Sequence, residues 1–471
     1  MIDNQTPSGF LSRVKGYFRS GYEASDPSHK RRDPGRMVRS SDIMANEGQR
    51  RQLINSAGDL QRNFAVAAWA IRKHLDYISA FTYQARTPNS EFNTRLESFV
   101  TDWASPKNFD VGGRHSMRRF IRMAEARRVM DGDVFLIKQR TGRLQAVEAD
   151  RVRTADRAQD RVEGATYSHG IRIGRGGRLA AIAVHNRGER GHGYEFAREI
   201  RSRNVEQLAY WEGFDAKRGI SPMASAINDF QDIREVKEYA RAKAKLTQLF
   251  ALAITRQGDD SEEVSDDYQV DFGAGPIKLD LDPGDEATFL ESKHPSTEFQ
   301  QFLQTSLMAA LKCLDLPYSF ADESFTNFFG SRAAVAHYIK SCSSKRADLV
   351  ELLDNLTRWR LSLAVATGEL VLPAGVAMES VRWEWVPAGV PFWDPLKDVT
   401  ASIMAIQAGL TTRGRIIKET YGGEFTDTID TLETEQAYAA SRNVSLAATL
   451  PQVAGVFAPE EGDPADGDDT D

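Results

Sequence analysis

The side chains that could do chemistry are few and far apart. Asp131 and Asp133, in DGDVF, have the spacing of paired carboxylates that could trade a proton, but Asp-Gly-Asp before an apolar run is also a common turn, and the turn is the simpler reading. His115 in RHSMRR and His192 in GHGY lack a partner at metal-ligand spacing and read as solvated or hydrogen-bonded imidazoles. GRGG at 174–177 has the glycines of a phosphate loop. It sits between two strand-like runs, however, without the following helix or the lysine-threonine pair that such a loop needs, so it predicts a hairpin turn. Cys313 and Cys342 belong to no CxxC or Cys/His cluster, which argues against a zinc site or a disulfide framework. The expectation is no catalytic residue, no metal and no cofactor.

Length and charge narrow the class further. At 471 residues the chain has room for about three units of roughly 150 residues. The net charge of −7 argues against a dedicated nucleic-acid binder, but the charge lies in blocks. Arginines recur from Arg114 to Arg157, as either a solvated face or a surface for an anionic partner. Asp259, Asp260, Glu262, Glu263, Asp266 and Asp267 form one acidic block, and Glu460 to Asp471 another, in a stretch so poor in apolar residues that 456–471 reads as a disordered tail. No run approaches the roughly 18 to 20 apolar residues of a membrane span, and MIDNQTPSGFLSRVKGYFRS lacks a signal-peptide core. Reduced thiols and cytosol-like conditions are expected. With no nucleotide motif, ATP-driven work would have to come from a partner.

The elements that must carry these residues follow from hydrophobic period. Residues 1–45 mix Gly, Ser, Pro and both charges and read as a flexible arm. From 50 to 85 the spacing predicts a long helix or a broken pair, and 91–130 continues helical. Period-two runs at 134–139, 144–150, 170–174 and 179–185 predict short strands in a mainly antiparallel sheet, making this an α+β protein. A long helix opens at Ser221-Pro222 and is expected to reach Thr255. An acidic insert from Gln257 to about Ser292 follows, with strand-like YQVDF and GPIKLDL. Helices are predicted at about 297–315 and from Ser331 to Thr367, closed by Gly368. Between them, PYSFADESFTNFFG crowds Phe320, Phe325, Phe328 and Phe329 beside Asp322, Glu323 and Asn327 without helical or strand period. Rings exposed to water need a neighbour. In WDPLKDVTASIMAIQAGLTTRGRIIKETYG, Pro395 suits a first helical position and Gly409 a left-handed cap. Leu396, Val399, Ile403 and Ile406 form the stripe predicted to be buried, and a second helix runs from Thr411 or Thr412 to Gly422-Gly423.

The order of these pieces resembles the phage portal proteins of the lambda-like family from about 48 to 445. LQRNFAVAAWAIRKHLDYI, LQAVEADRVRT with its Glu-x-Asp-Arg, YWEGFDAKRGISPMASAI with Arg-Gly-Ile, and GPIKLDLDPGDEATFL each look like a family segment, as do LDLPYSFADESFTNFFGSRAA and WDPLKDVTASIMAIQAGLTTR. HGIRIGRGGRLAAIAVHNR is similar to the family's Gly-Ile-Glu hairpin with Arg172 in place of the acidic residue, and Asn327 to Arg332 depart from its Asn-Tyr-Ser-Ser-x-Arg run. The resemblance implies a portal fold: an α/β wing over 46–220, stem helices at 221–255 and 294–316, a small β-containing clip at 256–293, a tunnel loop at 317–331, a long helix returning to the wing at 332–368, and a wing strand with crown helices at 369–455. It further implies a ring, twelve subunits in the assembled particle, at one capsid vertex of the virion, built in the host cytoplasm. Double-stranded DNA passes through its channel. Its partners would be the terminase large subunit, the major capsid protein or scaffold, and a head-tail adaptor, with no membrane. On this reading Phe320, Asp322, Glu323, Asn327, Phe328 and Phe329 line the channel, and the six clip acids from Asp259 to Asp267 face DNA or dock the motor or adaptor. The competing expectation is a nucleic-acid-processing enzyme or its DNA-binding subunit, which the absence of an acid/base pair or nucleotide motif disfavours.

Overall fold

Asn46 opens the first helix with a reciprocal cap: its side chain accepts from the Gln49 N–H (2.9 Å), and the Gln49 side chain accepts from the Asn46 N–H (3.1 Å). The computed structural model describes residues 46–188, 193–249, 252–256, 285–289, 297–322, 328–389 and 395–444. Helix α1 spans Glu47–Asn63 and α2 spans Ala65–Ile78, separated by the extended Phe64, so the broken pair is the form adopted. Strand β1 (Phe81–Ala85) leads to α3 (Ser90–Trp103) and α4 (Met117–Asp131). Strands β2 (Asp133–Lys138), β3 (Leu144–Glu148), β4 (Thr166–Ser168), β5 (Ile171–Ile173), β6 (Leu179–Arg187), β7 (Tyr194–Arg201) and β8 (Val205–Ala209) follow. Next come α5 (Ile227–Leu249), β9 (Leu252–Arg256), β10 (Asp285–Phe289), α6 (Thr297–Leu311) and α7 (Phe328–Thr367). The last elements are β11 (Trp383–Pro387), α8 (Pro395–Gln407), α9 (Arg413–Tyr421) and α10 (Phe425–Ser441). The mixture of helices and mainly antiparallel sheets is the α+β architecture expected. No described helix is long and apolar enough to cross a membrane.

The chain forms two compact units. The first gathers residues up to Asp59, Arg127–Phe135 and Val147–Ala224. Its antiparallel sheet runs β4-β5-β6-β7, and β3, β2 and β8 hydrogen-bond in that order. The apolar run in β6 places Ala181 to Val184 in the core. GRGG is the β5–β6 turn, with Gly176 and Gly177 both at positive φ. Arg172, the departure from the family's acidic residue, pairs across the sheet with Glu199 (2.9 Å), which also accepts from the Tyr167 hydroxyl (2.7 Å).

The second unit takes Leu60–Ala126, Leu136–Ala146 and the residues from Ser225 onward. Its spine is α7, 40 residues long, or about 60 Å at 1.5 Å per residue. Against it β1 pairs antiparallel with β11, Phe81 opposite Pro387, over a core that includes Phe92, Leu96, Leu361 and Ala364. Trp385 donates to Thr357 (3.2 Å) and Trp383 to Asp354 (2.8 Å), so both indoles of β11 are fixed to α7.

Three expectations change. The helix expected to reach Thr255 ends at Leu249. Leu252–Arg256 is a strand, in which β-branched Ile254 and Thr255 sit opposite Ala287 and Glu286 of β10. The helical reading of 50–85 stops at Ile78, because Phe81–Ala85 finds a strand partner some 300 residues away that no local pattern could reveal. Of the stripe predicted to be buried on α8, Leu396, Val399 and Ile403 are exposed and Ile406 is half-buried; none of that helix's 13 residues is buried. Of the acidic insert expected from Gln257 to about Ser292 only Asp285–Phe289 is described; Asp259, Asp260, Glu262, Glu263, Asp266 and Asp267 lie outside the described residues, as do Glu323, Asn327 and the tail after Val444.

Candidate functional site

In the first unit two sequence motifs meet. Gly132 turns the chain at positive φ so that Asp133, fully buried, begins β2. Arg218 of AKRGISP reaches it with two nitrogens, Nε to Oδ2 at 2.6 Å and Nη2 to Oδ1 at 2.9 Å. The same guanidinium donates to the carbonyls of Ala149 (3.0 Å), Val152 (2.9 Å) and His169 (2.7 Å), so the strand ending in Glu-Ala-Asp-Arg is tied to the Arg-Gly-Ile turn. Arg50 of α1 donates to the Gly219 carbonyl (2.6 Å) and lies 3.8 Å from Asp133. A fixed fork with every donor occupied can hold three chain segments in one geometry. Gly132 and Gly219 stand back to back: a Cβ on Gly219 would fall 2.1 Å from the Gly132 carbonyl oxygen. The DGD motif is therefore both a turn and one half of a buried clasp. Its other carboxyl, Asp131, is pushed up to about 7 by burial, partly opposed by Arg127 at 3.8 Å.

Four arginines of the basic series are committed within the fold. Arg128 is fully buried with its guanidinium 4.3 Å from the Tyr210 ring centre, Arg127 pairs with Glu148 (3.0 Å), Arg122 pairs with Asp76 (2.7 Å), and Arg151 donates to the His185 carbonyl (2.9 Å). These four are fasteners, whereas Arg114, Arg118, Arg119, Arg140 and Arg157 are exposed.

In the second unit the segment after α6 is anchored before it reaches the predicted channel residues. Asp315 takes a left-handed conformation, and Lys345 of α7 donates to its carboxylate (2.8 Å) and to the Leu314 carbonyl (3.1 Å). Pro317 starts one turn of 3₁₀ helix at Tyr318–Phe320. Phe320 stacks on Tyr77 (5.6 Å, 26°) and meets Tyr338 edge-on (5.4 Å), while Tyr77 and Tyr338 are 5.1 Å apart. Half-buried Phe320 is thus an anchor within its own unit, with Asp322 one step beyond and accepting from the Tyr318 hydroxyl (3.3 Å). Phe328 and Phe329 belong to the first turn of α7. Burial raises the Tyr338 hydroxyl and the neighbouring Cys342 thiol, and pushes Cys313 up to about 12. Thiols held this firmly protonated are poor nucleophiles. Among the described residues no group of three His, Cys, Asp or Glu could hold a metal.

The C-terminal helices carry the punctuation expected of them. Gly409 (φ 71°) ends α8, Thr412 caps α9 by accepting from the Arg415 N–H (3.2 Å), and Gly422 (φ 71°) ends it. What they do not carry is a core: Leu396, Val399, Ile403, Met404 and Leu410 are exposed, as are Phe425, Ile429 and Leu432 of α10. The third helix of this segment, α10, was not singled out in the sequence, although its Phe-x₃-Ile-x₂-Leu spacing is amphipathic.

The family model described as phage portal protein, lambda family, matches residues 29–346 of the 471. The chain belongs to the lambda family of phage portal proteins. Within this portal-family chain both halves of the Asp133–Arg218 clasp and the Phe320 anchor fall inside the matched range, whereas β11 and α8 to α10 fall outside it. Among solved structures, the chain is similar to one described as the neck of an empty GTA particle computed with C6 symmetry, at 12% identity and TM-score 0.47, covering 77% of this chain and 92% of that one. A second, described as the virion of a native gene transfer agent particle, is 13% identical with TM-score 0.45 and the same coverage. No curated protein matches the chain.

Proposed function

We propose that this chain is the subunit of a portal ring, twelve copies in the assembled particle, set at one capsid vertex and traversed by double-stranded DNA during packaging and ejection. The observation that carries this reading is the family match over residues 29–346. On it, 46–220 form most of the wing, 221–255 and 294–316 the stem, 256–293 the clip, 317–331 the tunnel loop, 332–368 the helix returning to the wing, and 369–455 a wing strand and crown. The ring is structural: it docks the terminase large subunit, which supplies ATP-driven work, and later a head-tail adaptor, while the capsid protein or scaffold surrounds it.

The physical demands of a conduit agree with this assignment. Duplex DNA carries about one charge per 1.7 Å, and a strongly basic bore would hold it by counterion release. Asp259, Asp260, Glu262, Glu263, Asp266 and Asp267 in the clip would oppose that adhesion or meet a basic face of the motor or adaptor. Asp322, Glu323 and Asn327 would face the lumen, with Phe328 and Phe329 packed between subunits. Phe320, packed on Tyr77 and Tyr338, would serve as the fixed root of the loop. The test is a variant lacking residues 322–327. Rings should form normally while nuclease-protected DNA per particle falls sharply. Normally filled heads would remove the loop's role in the channel.

A further inference from the structure

Helices α8 and α10 are built to be covered and are not covered by the described residues of this chain. In α8 none of 13 residues is buried, yet Leu396, Val399, Ile403 and Met404 recur at helical spacing; Leu396 is 80% exposed, as is Leu410 (79%) in the turn that follows. In α10 only Ala439 of 17 residues is buried, while Phe425, Ile429 and Leu432 line one face and are each about two-fifths exposed. Isolated helices of this length are marginal in water, and a contiguous apolar stripe marks the face that a partner buries.

Charge says what the partner is. Helix α10 carries Asp427, Asp430, Glu433 and Glu435 and no lysine or arginine, and none of the four makes an ion pair among the described residues. At 3.6 residues per turn, Glu433 and Glu435 fall about 80° to either side of the Phe425–Ile429–Leu432 stripe. Helix α9 carries Arg413, Arg415 and Lys418 against the single Glu419; both arginines are exposed, Arg415 pairing with Glu419 (2.8 Å) at its outer surface, and Lys418 pairs with Glu384. Beside α9 lies a cavity of about 840 Å³, lined in part by Arg415 and Lys418 of α9 and by Phe425 and Thr426 of the same chain's α10, so Ile429 and Leu432 are the part of the α10 stripe farthest from that packing. An acidic-rimmed apolar face on α10, an apolar stripe on α8 and a basic helix α9 thus occur on one chain. A two-fold pairing of α10 with α10 would set four carboxylates against four, whereas a head-to-tail contact sets acid against base and repeats.

We propose that the apolar face of α10 in one copy of this chain docks against α8 and α9 of the next copy, with Glu433 and Glu435 facing Arg413 and Arg415. The existence of a next copy rests on the portal reading, but these helices lie beyond the range that the family model matches. The test uses full-length protein in a Cys313→Ser background, since the other thiol, Cys342, is buried. With Arg413→Cys and Glu433→Cys together, a flexible bis-maleimide should give a covalent ladder beyond the dimer, and either change alone should not. Separately, Glu433→Arg with Glu435→Arg should cut the fraction of chains in rings about tenfold, and adding Arg413→Glu with Arg415→Glu should restore it. Wild-type rings with no ladder, a link confined to single chains, or no rescue by the charge swap would overturn the contact while leaving the portal reading intact. Wild-type protein that forms neither rings nor ladder would overturn both.

Discussion

Arg218 and Leu396 stand at opposite extremes of this chain. Arg218, 3% exposed, spends its guanidinium on one carboxylate and three carbonyls of its own unit. Leu396, 80% exposed, leads an amphipathic helix none of whose 13 residues is fully buried. The first region satisfies its polar groups internally and has a geometry that one chain can hold alone. The second has well-specified ends and an unspecified partner, the signature of a surface completed by assembly. A subunit of a ring needs both, a rigid body to carry geometry and faces that become core only in company.

The contrast breaks most severely at the clasp. Arg218→Ala removes the two-nitrogen partner of the buried Asp133 carboxylate, leaving it longer contacts such as the Gly219 N–H (3.2 Å) and Arg50 at 3.8 Å, and strips three carbonyls of a donor, so the loss should reach about 3–5 kcal/mol, read as a fall in denaturation midpoint with loss of soluble protein. An Arg218→Ala chain as stable as the parent would show that the clasp is dispensable.

A smaller effect sharpens the same comparison. Burial holds the Asp131 carboxyl at about 7 in the folded protein, above the 3.8 of its free form. The folded state therefore keeps a proton that the unfolded chain releases, and this contribution, full below about pH 4, is lost as pH rises through 7. Asp131→Asn should match the parent near pH 4 and exceed it by about 1–3 kcal/mol at pH 8. Parallel stability curves across that range would contradict the assignment.

Much of the local structure was written in the sequence. Gly409, Thr412 and Gly422 fix the ends of the C-terminal helices by φ preference and capping, and the period-two runs gave β2, β3, β5 and β6. What the local pattern lacked was the identity of partners. Phe81–Ala85 is a strand because Trp383–Pro387 exists, and Asp133 is a clasp because Arg218 lies 85 residues on. The stripe on α8 shows the same limit: spacing tells that Leu396, Val399 and Ile403 need burial, but not in which molecule. Of the predicted channel residues, Phe320 proved to be an internal anchor through Tyr77 and Tyr338, contacts that no spacing within PYSFADESFTNFFG encodes.

The most direct measurement is the oligomeric state of the purified full-length protein, by mass and by electron microscopy of the same sample. The account predicts closed rings with a central hole, at a mass many times the 52.5 kDa of one chain. A folded, soluble protein that stays at 52.5 kDa at every concentration and salt tested, with no ring in any image, would contradict it.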